Sequence, residues 1–251
     1  MTCAIIDYGS GNLHSAVKSF ERAAKESGAN TKITLTNDPK IIKSASHIVL
    51  PGVGAYADCL NGLEAIEGLR EALEEAVIQT AKPFFGICVG MQLMSTEGHE
   101  HKITQGLNWI PGKVKAIQPT NPTLKIPHMG WNTLSAVAGG QAEAPTKKVF
   151  YEGSTKKTGG AEIERATVDG ESGLHPVLKD INLGPNGLHA YFVHSYHFET
   201  DNPAHRLLTT DYGSKITAMI GRDNIIGTQF HPEKSQKLGL KLIANFLNWR
   251  P

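Results

Sequence analysis

Long apolar runs are missing from this sequence. No stretch of its 251 residues approaches the roughly 20 consecutive apolar residues needed to span a bilayer, so no membrane-spanning helix is expected. A surplus of charge is missing as well. The 25 basic residues are set against 24 acidic ones, which leaves no global electrostatic case for nucleic acid or an anionic membrane surface as partner. Cysteine is scarce: Cys3, Cys59 and Cys88 are the only three, and they form neither a CxxC pair nor a disulfide framework, the usage of a reducing cytoplasm. No metal and no cofactor is expected. A secretory leader pattern is absent too, because Thr2–Asp7 already reads as a first strand. The expectation is a soluble, cytoplasmic protein with a sizeable core and no internal repeat or domain linker, read as a single domain over 1–251.

What is present is an alternation of strand and helix. Cys3–Ile6 is a short apolar strand followed by the loop Asp7-Tyr8-Gly9-Ser10-Gly11-Asn12. Leu13, Val17, Phe20 and Ala24 recur at helical spacing, with Gly28 placed as a C-cap. Strands are predicted at Lys32–Leu35, His47–Leu50 and Phe84–Ile87, and helices at Pro39–Lys43 and, as one long element, Leu63–Thr80. This order implies right-handed crossovers and a mostly parallel open sheet covered by helices on both faces. Ligands bind such sheets beyond the carboxyl ends of their strands, so the loops at Asp7, Pro51 and Cys88 are expected to share one rim. Farther on, Lys113–Gln118 reads as a strand, and Lys125–Asn132 as too irregular for a regular element. Residues 135–187 are rich in Gly, Lys, Thr and Glu, with Val149-Phe150-Tyr151 the main apolar piece, and read as a polar surface excursion. Lysines 147, 148, 156 and 157 read as a solvated face. The last third returns to order with strands at His189–Val193, Ile216–Ile220 and Ile225–Gln229, antiparallel where hairpin turns join them, and a closing helix at Lys237–Trp249.

The chemistry gathers around Gly86-Ile87-Cys88-Val89-Gly90. A cysteine flanked by glycines two residues away on each side, between an apolar strand and a helix start, is the thiol form of a nucleophile elbow. The turn strains the backbone, and a helix N-terminus favours thiolate over thiol. Taken alone, this cysteine is at about even odds with a buried structural one, because free cysteine is among the most buried residue types. A second feature changes that balance. In Phe230-His231-Pro232-Glu233-Lys234, extended chain puts His231 and Glu233 on one face. The carboxylate can hold one imidazole nitrogen and leave the other free to take the Cys88 proton. A third feature, Leu50-Pro51-Gly52-Val53-Gly54, can present the Gly52 and Val53 amides, with that of Val89, to a developing oxyanion. An ordinary strand-end turn is the bland reading of that loop.

Cysteine first and His-x-Glu later is the order found in class I glutamine amidotransferases, and the resemblance becomes narrow. The pieces Asp7–Asn12, Leu50–Gly54, Gly86–Gln92, His128-Met129-Gly130-Trp131-Asn132, Tyr191–Tyr196 and Gly227–Lys234 closely resemble, in order, the glutaminase subunits of imidazole glycerol phosphate synthase. That resemblance implies one glutamine amidotransferase domain in which Cys88 attacks glutamine, His231 moves protons and Glu233 orients it. It also implies a glutamine pocket of Gln92, Glu100, His194, Ser195 and Tyr196, with Glu100 placed by spacing alone. Ammonia would pass to a separate (β/α)8 cyclase subunit in a heterodimer, for histidine biosynthesis. Asn12, Trp131 and Asn132 match interface positions, and Lys234 matches the ammonia exit. The glutaminase of this family is nearly silent until its partner binds nucleotide, and a flip of the Gly52–Val53 peptide is an economical switch for such coupling. The segment from Thr133 to Leu188 is longer than the family usually carries.

Two other readings stay open at this point. One is a glutaminase serving another pathway, against which Gly130-Trp131-Asn132 argues. The other is a catalytically inactive module of the same fold, against which the intact Cys88, His231 and Glu233 argue.

Overall fold

The computed structural model describes residues 1–137 and 174–251. Its first strand, β1 (Thr2–Ile6), feeds helix α1 (Leu13–Ser27), which buries Ala16, Phe20, Ala23 and Ala24. Gly28 ends the helix in the left-handed region at φ 68°, and a backbone N–H returns to the Ala24 and Lys25 carbonyls. Strand β2 (Lys32–Thr36) leads to α2 (Pro39–Ser44), whose start is fixed by Asp38 accepting the Lys40 N–H at 2.8 Å and by Pro39 in the first turn. Strand β3 (His47–Gly52) is buried at every residue and runs on through Pro51 and Gly52, beyond its predicted end at Leu50.

The predicted long helix over Leu63–Thr80 is three pieces. Helix α3 (Tyr56–Glu64) stops, Gly68 turns at φ 74°, and α4 (Leu69–Leu73) follows, with the wider turns of Glu74–Gln79 continuing it. Apolar spacing continues across the break, because each piece packs inward; only Gly68 marks the change of direction. Next come β4 (Phe84–Cys88) and the single-turn helix α5 (Val89–Gln92), then β5 (Glu97–Glu100), β6 (Lys102–Gln105) and β7 (Gly112–Ala116).

The stretch read as irregular contains a strand, β8 (His128–Thr133), followed by the two-residue β9 (Ser135–Ala136). Strand β8 pairs antiparallel with β10 (His189–His194) along its length. Strands β11 (Tyr196–Thr200), β12 (Arg206–Asp211), β13 (Lys215–Arg222) and β14 (Ile225–Thr228) precede the closing helix α6 (Gln236–Asn248). The main sheet has the order β2-β1-β3-β4-β14-β13-β12-β9. It is parallel as far as β14 and antiparallel beyond. The predicted open, mostly parallel sheet with antiparallel strands in the last third is therefore present. A second sheet, β11-β7-β5-β6, and the β10-β8 pair flank it.

The ends of 135–187 are not a surface excursion. Val177, Leu178 and Ile181 are buried in the core, Ser135–Ala136 joins the edge of the main sheet, and Asn245 of α6 donates to the Val177 and Lys179 carbonyls. The expectations for Val149–Tyr151 and for the lysines at 147, 148, 156 and 157 lie outside the described residues. Beneath the sheet, Phe20, Phe85 and Phe246 meet ring to ring and tie α1 and α6 to β4. Gly52 stands opposite Cys88, and Ile5 opposite Val49, so the loops after β1, β3 and β4 do share one rim. Among the described residues no helix is long and apolar enough to cross a membrane.

Candidate active site

Cys88 stands where β4 meets α5, with φ 54° and ψ −111°, a backbone conformation that costs a residue with a β-carbon of order 1–3 kcal/mol. The surroundings enforce it. A Cβ on Gly90 would lie 1.8 Å from the Leu50 carbonyl oxygen, and one on Gly86 would lie 2.6 Å from the Gly90 oxygen. Only glycine lets β3, β4 and α5 approach this closely, which explains the glycines on either side of the cysteine. Because α5 is a single turn, its dipole is weaker than that of the long helix usual at such an elbow. The support that the fold gives a sulfur anion comes mainly from neighbouring side chains.

His231 is the first of them. It follows β14 and is anchored by its own N–H on the Tyr191 carbonyl at 2.9 Å. Its Nδ1 lies 2.8 Å from Glu233 Oε1, and both side chains are at least 96 % shielded from solvent, with 3 % and 4 % exposed. Burial opposes the imidazolium, but Cys88 and Glu233 outweigh it and raise His231 to about 10. Nε2 is buried without a hydrogen bond among the described residues, and His231 lines the same cavity as Cys88. The predicted pairing of His231 with Glu233, and the free second nitrogen, are thus both present in the geometry.

A cavity of about 340 Å³ opens over the sulfur. Its wall includes Cys88, Val89, Gln92, Glu100, His194, Ser195, Tyr196 and His231, together with Val53, Gly54, Pro127 and Val193. All the residues predicted for the glutamine pocket are therefore brought together, but they serve it differently. Glu100 accepts the Tyr56 N–H at 2.7 Å and so caps the start of α3 while facing the cavity. Gln92 spends both amide hydrogens on the protein, one on the Tyr196 carbonyl at 3.2 Å and one on Gln229 Oε1 at 2.9 Å. Only its oxygen is left to accept from a ligand. His194 commits both ring nitrogens internally, to His128 at 3.0 Å and to the Tyr196 carbonyl at 2.8 Å. It serves as a shaped wall. Ser195 accepts the Ile117 N–H at its carbonyl.

The oxyanion donors are only partly in place. Val89 N–H opens the α5 turn, where no intrahelical partner exists. Val53 N–H, however, donates to Ser10 Oγ at 3.2 Å, while the Ser10 hydroxyl donates to the Val53 carbonyl at 2.6 Å. Ser10 thus clamps the Val53 backbone on both sides and keeps its N–H from the cavity. Gly52 is buried, and a Cβ there would lie 2.6 Å from Tyr8 Oη and 2.8 Å from the Gly90 nitrogen.

The interface residues separate by strand alternation. Trp131 and Met129 project outward, 47 % and 62 % exposed. Trp131 packs edge-on against Tyr191, whose other neighbour is Lys234, with Nζ 5.5 Å from the ring centre. Lys234 makes no pair with Glu233, whose Oε1 holds His231. Asn132 turns the other way: its amide donates to the Asp211 carbonyl at 2.8 Å and its oxygen accepts the Thr133 N–H. Asn12 is exposed just before α1 and makes no side-chain cap. Sequence reasoning missed Ser10, Met129, His128 and Gln229 as parts of the site. Each sits inside a quoted motif, but only His128 carries a residue type that announces chemistry, and nothing in its spacing tells that it faces the site.

The family model described as "Glutamine amidotransferase class-I" matches residues 4–249. The chain belongs to the class I glutamine amidotransferase family. It is 51% identical over all 251 residues to the imidazole glycerol phosphate synthase subunit HisH of Mesorhizobium japonicum, with 100% of each chain covered. It shows the same identity and coverage to the subunit so named from Bradyrhizobium diazoefficiens. In both cases the match runs end to end, so the long segment after Thr133 is covered in these class I relatives too. A solved glutamine amidotransferase superposes with a TM-score of 0.61 at 11% identity, covering 98% of this chain and 99% of that one. One from Thermotoga maritima gives a TM-score of 0.54 at 16% identity, covering 93% and 76%. At such identities these two speak for the amidotransferase fold alone. Among the described residues there is no cluster of His, Cys, Asp and Glu arranged to hold a metal.

Proposed function

We propose that this chain is the glutaminase subunit of imidazole glycerol phosphate synthase and hydrolyses glutamine to glutamate and ammonia in the cytoplasm. The Cys88 thiolate attacks the side-chain carboxamide carbon and forms a C–S bond. The carbonyl oxygen becomes an oxyanion facing the Val89 N–H and, once released from Ser10, the Val53 N–H. His231, protonated and braced by Glu233, gives its proton to the amide nitrogen; the C–N bond breaks and ammonia leaves a γ-glutamyl thioester. The neutral imidazole then takes a proton from water, whose oxygen attacks the thioester and frees glutamate and the thiolate. Gln92 and Glu100 supply acceptors for the amino-acid end of the substrate.

The observation that carries the chemistry is the buried His231–Glu233 pair facing the same cavity as the strained Cys88. End-to-end likeness to subunits named HisH supports the pathway and, with it, a separate (β/α)8 cyclase as partner in a heterodimer. Trp131 and Met129 would be the apolar centre of that contact, with Asn12 at its edge and Lys234 where ammonia crosses.

The test is glutamate release from glutamine by the chain mixed with the cyclase, with and without its nucleotide. Cys88→Ala is expected to abolish release while the complex still forms. No release by the parent complex would defeat the reading, and loss of assembly in Cys88→Ala would make the cysteine structural.

A further inference from the structure

Two buried histidines outside the triad are joined in a chain whose hydrogen positions can be deduced. The starting point is the Tyr196 carbonyl, which can only accept. His194 Nδ1 lies 2.8 Å from it and must carry the proton. His194 Nε2 is then an acceptor, so the partner at 3.0 Å, His128 Nδ1, must donate. His128 Nε2 in turn is an acceptor and faces the Asn132 amide nitrogen at 3.4 Å. The orientation of Asn132 is fixed independently, because its oxygen accepts the Thr133 N–H at 2.8 Å and its nitrogen donates to the Asp211 carbonyl at 2.8 Å. A carbonyl at one end and an amide NH₂ at the other thus specify both tautomers, and they agree. Both rings carry the proton on Nδ1, the less favoured form of a histidine free in water. Packing keeps the chain in place: the His128 ring is stacked on Phe192 at 4.7 Å and on Tyr212 at 4.0 Å between ring centres.

The geometry points to His128 as a positioning residue of the glutamine site, acting by holding His194 in one tautomer and one ring orientation as the cavity wall. This inference rests on the proposed glutaminase reading. His194 cannot use its nitrogens on the substrate, so its contribution is the shape of the wall, and that shape depends on the donor behind it. The same Tyr196 carbonyl also accepts from Gln92, so a disturbed His194 reaches the residue whose oxygen is left for substrate. Burial leads the causes that lower both rings, His128 to about 4 and His194 to about 3, and it keeps the pair neutral when the enzyme works.

The test has a part that does not involve glutamine at all. Two-bond ¹⁵N–¹H correlation of the ¹⁵N-histidine-labelled chain at neutral pH is expected to show His128 and His194 both protonated at Nδ1 only; either ring found protonated at Nε2 overturns the inference. The second part compares two variants in the cyclase complex. His128→Phe keeps the stacked ring but removes the donor, and is expected to raise KM for glutamine roughly tenfold, the scale of one lost hydrogen bond, with kcat within about twofold and the complex still formed. His128→Asn places an amide nitrogen where Nδ1 stood and is expected to recover most of that loss. Equal KM in the two variants, or a fall confined to kcat, would refute the positioning role. If His128→Phe does not fold, the tautomers and the Asn variant, whose KM should stay near the parent value, decide the matter. A parent complex that releases no glutamate defeats the functional reading but leaves the tautomer result standing.

Discussion

Removing the Ser10 hydroxyl is expected to wake the isolated chain. In the present conformation that hydroxyl donates to the Val53 carbonyl at 2.6 Å and accepts the Val53 N–H at 3.2 Å. A turn of the Gly52–Val53 peptide that brings the N–H into the cavity must break the second bond; the Val53 carbonyl belongs to the next peptide and can keep the first. A hydrogen bond between neutral groups contributes about 0.5–1.5 kcal/mol net, so this one biases the peptide by roughly 2- to 13-fold. The bond is solvent-exposed, and water replaces part of what is lost, so the low end, about twofold, is the expected gain. The assay is glutamate release by purified Ser10→Ala without the cyclase. If activation works by turning this peptide, as the proposed function has it, the variant should match the parent in the nucleotide-activated complex. A variant no faster than the parent, at equal thermal stability, would refute the clamp.

The other expectations are narrower. Glu233→Gln removes one of the two groups that hold His231 up at about 10 against burial, so the alkaline limb of glutaminase activity should move to lower pH, which a pH–rate profile of the complex reads. The same raised value means that His231's contribution to stability is full below about 6.5 and lost as pH rises through about 10. His47, His128 and His175 are lowered to about 4 and His194 to about 3, burial leading in each case. The folded chain resists protons that the unfolded chain takes up below about 6.5, so thermal melts should show Tm falling as pH drops from 6.5 towards 4. Gly90→Ala would set a methyl group 1.8 Å from the Leu50 oxygen and should cost more than about 3 kcal/mol, measurable as a lower urea midpoint; an unchanged midpoint would mean the elbow is looser than described. Trp131→Ala should weaken cyclase binding tenfold or more by titration calorimetry, while leaving the melting curve of the free chain in place.

The elbow and the His-x-Glu pair were legible because their chemistry is local in residue type and spacing, although Glu233 meets His231 from a 3₁₀ turn over Pro232–Lys234 and not, as expected, from extended chain. The parallel sheet was legible for a similar reason, since β1, β3 and β4 are short apolar runs between helices. Strands β5 and β6 were not, because Glu97–Glu100 and Lys102–Gln105 hold Ile103 as their one large apolar residue and owe their extended form to pairing with each other and, for β5, with β7. The same holds for β8, where His128 and Asn132 face inward by hydrogen bonding rather than by hydrophobicity. The break at Gly68 hid inside an unbroken apolar spacing. Ser10 and Gln229 could be found only in three dimensions, since nothing in a serine or a glutamine tells that one will meet the Val53 backbone and the other the Gln92 amide.

The register that sets Gly52 beside Cys88 and Thr228 beside Ile87 also has a consequence in time. The thiol, its glycines and the Val53 loop all lie within the first 90 residues of the chain, whereas His231 enters just after β14, the main sheet's last strand in sequence. A growing chain therefore builds the elbow long before the base that can draw its proton, and the cavity wall of β10 and β11 comes late as well. Contacts of such sequence separation close slowly, so the reactive centre is among the last parts of the molecule to be completed. An unfinished chain carries a thiol with no base beside it, and chemistry at the sulfur waits until the C-terminal strands have docked.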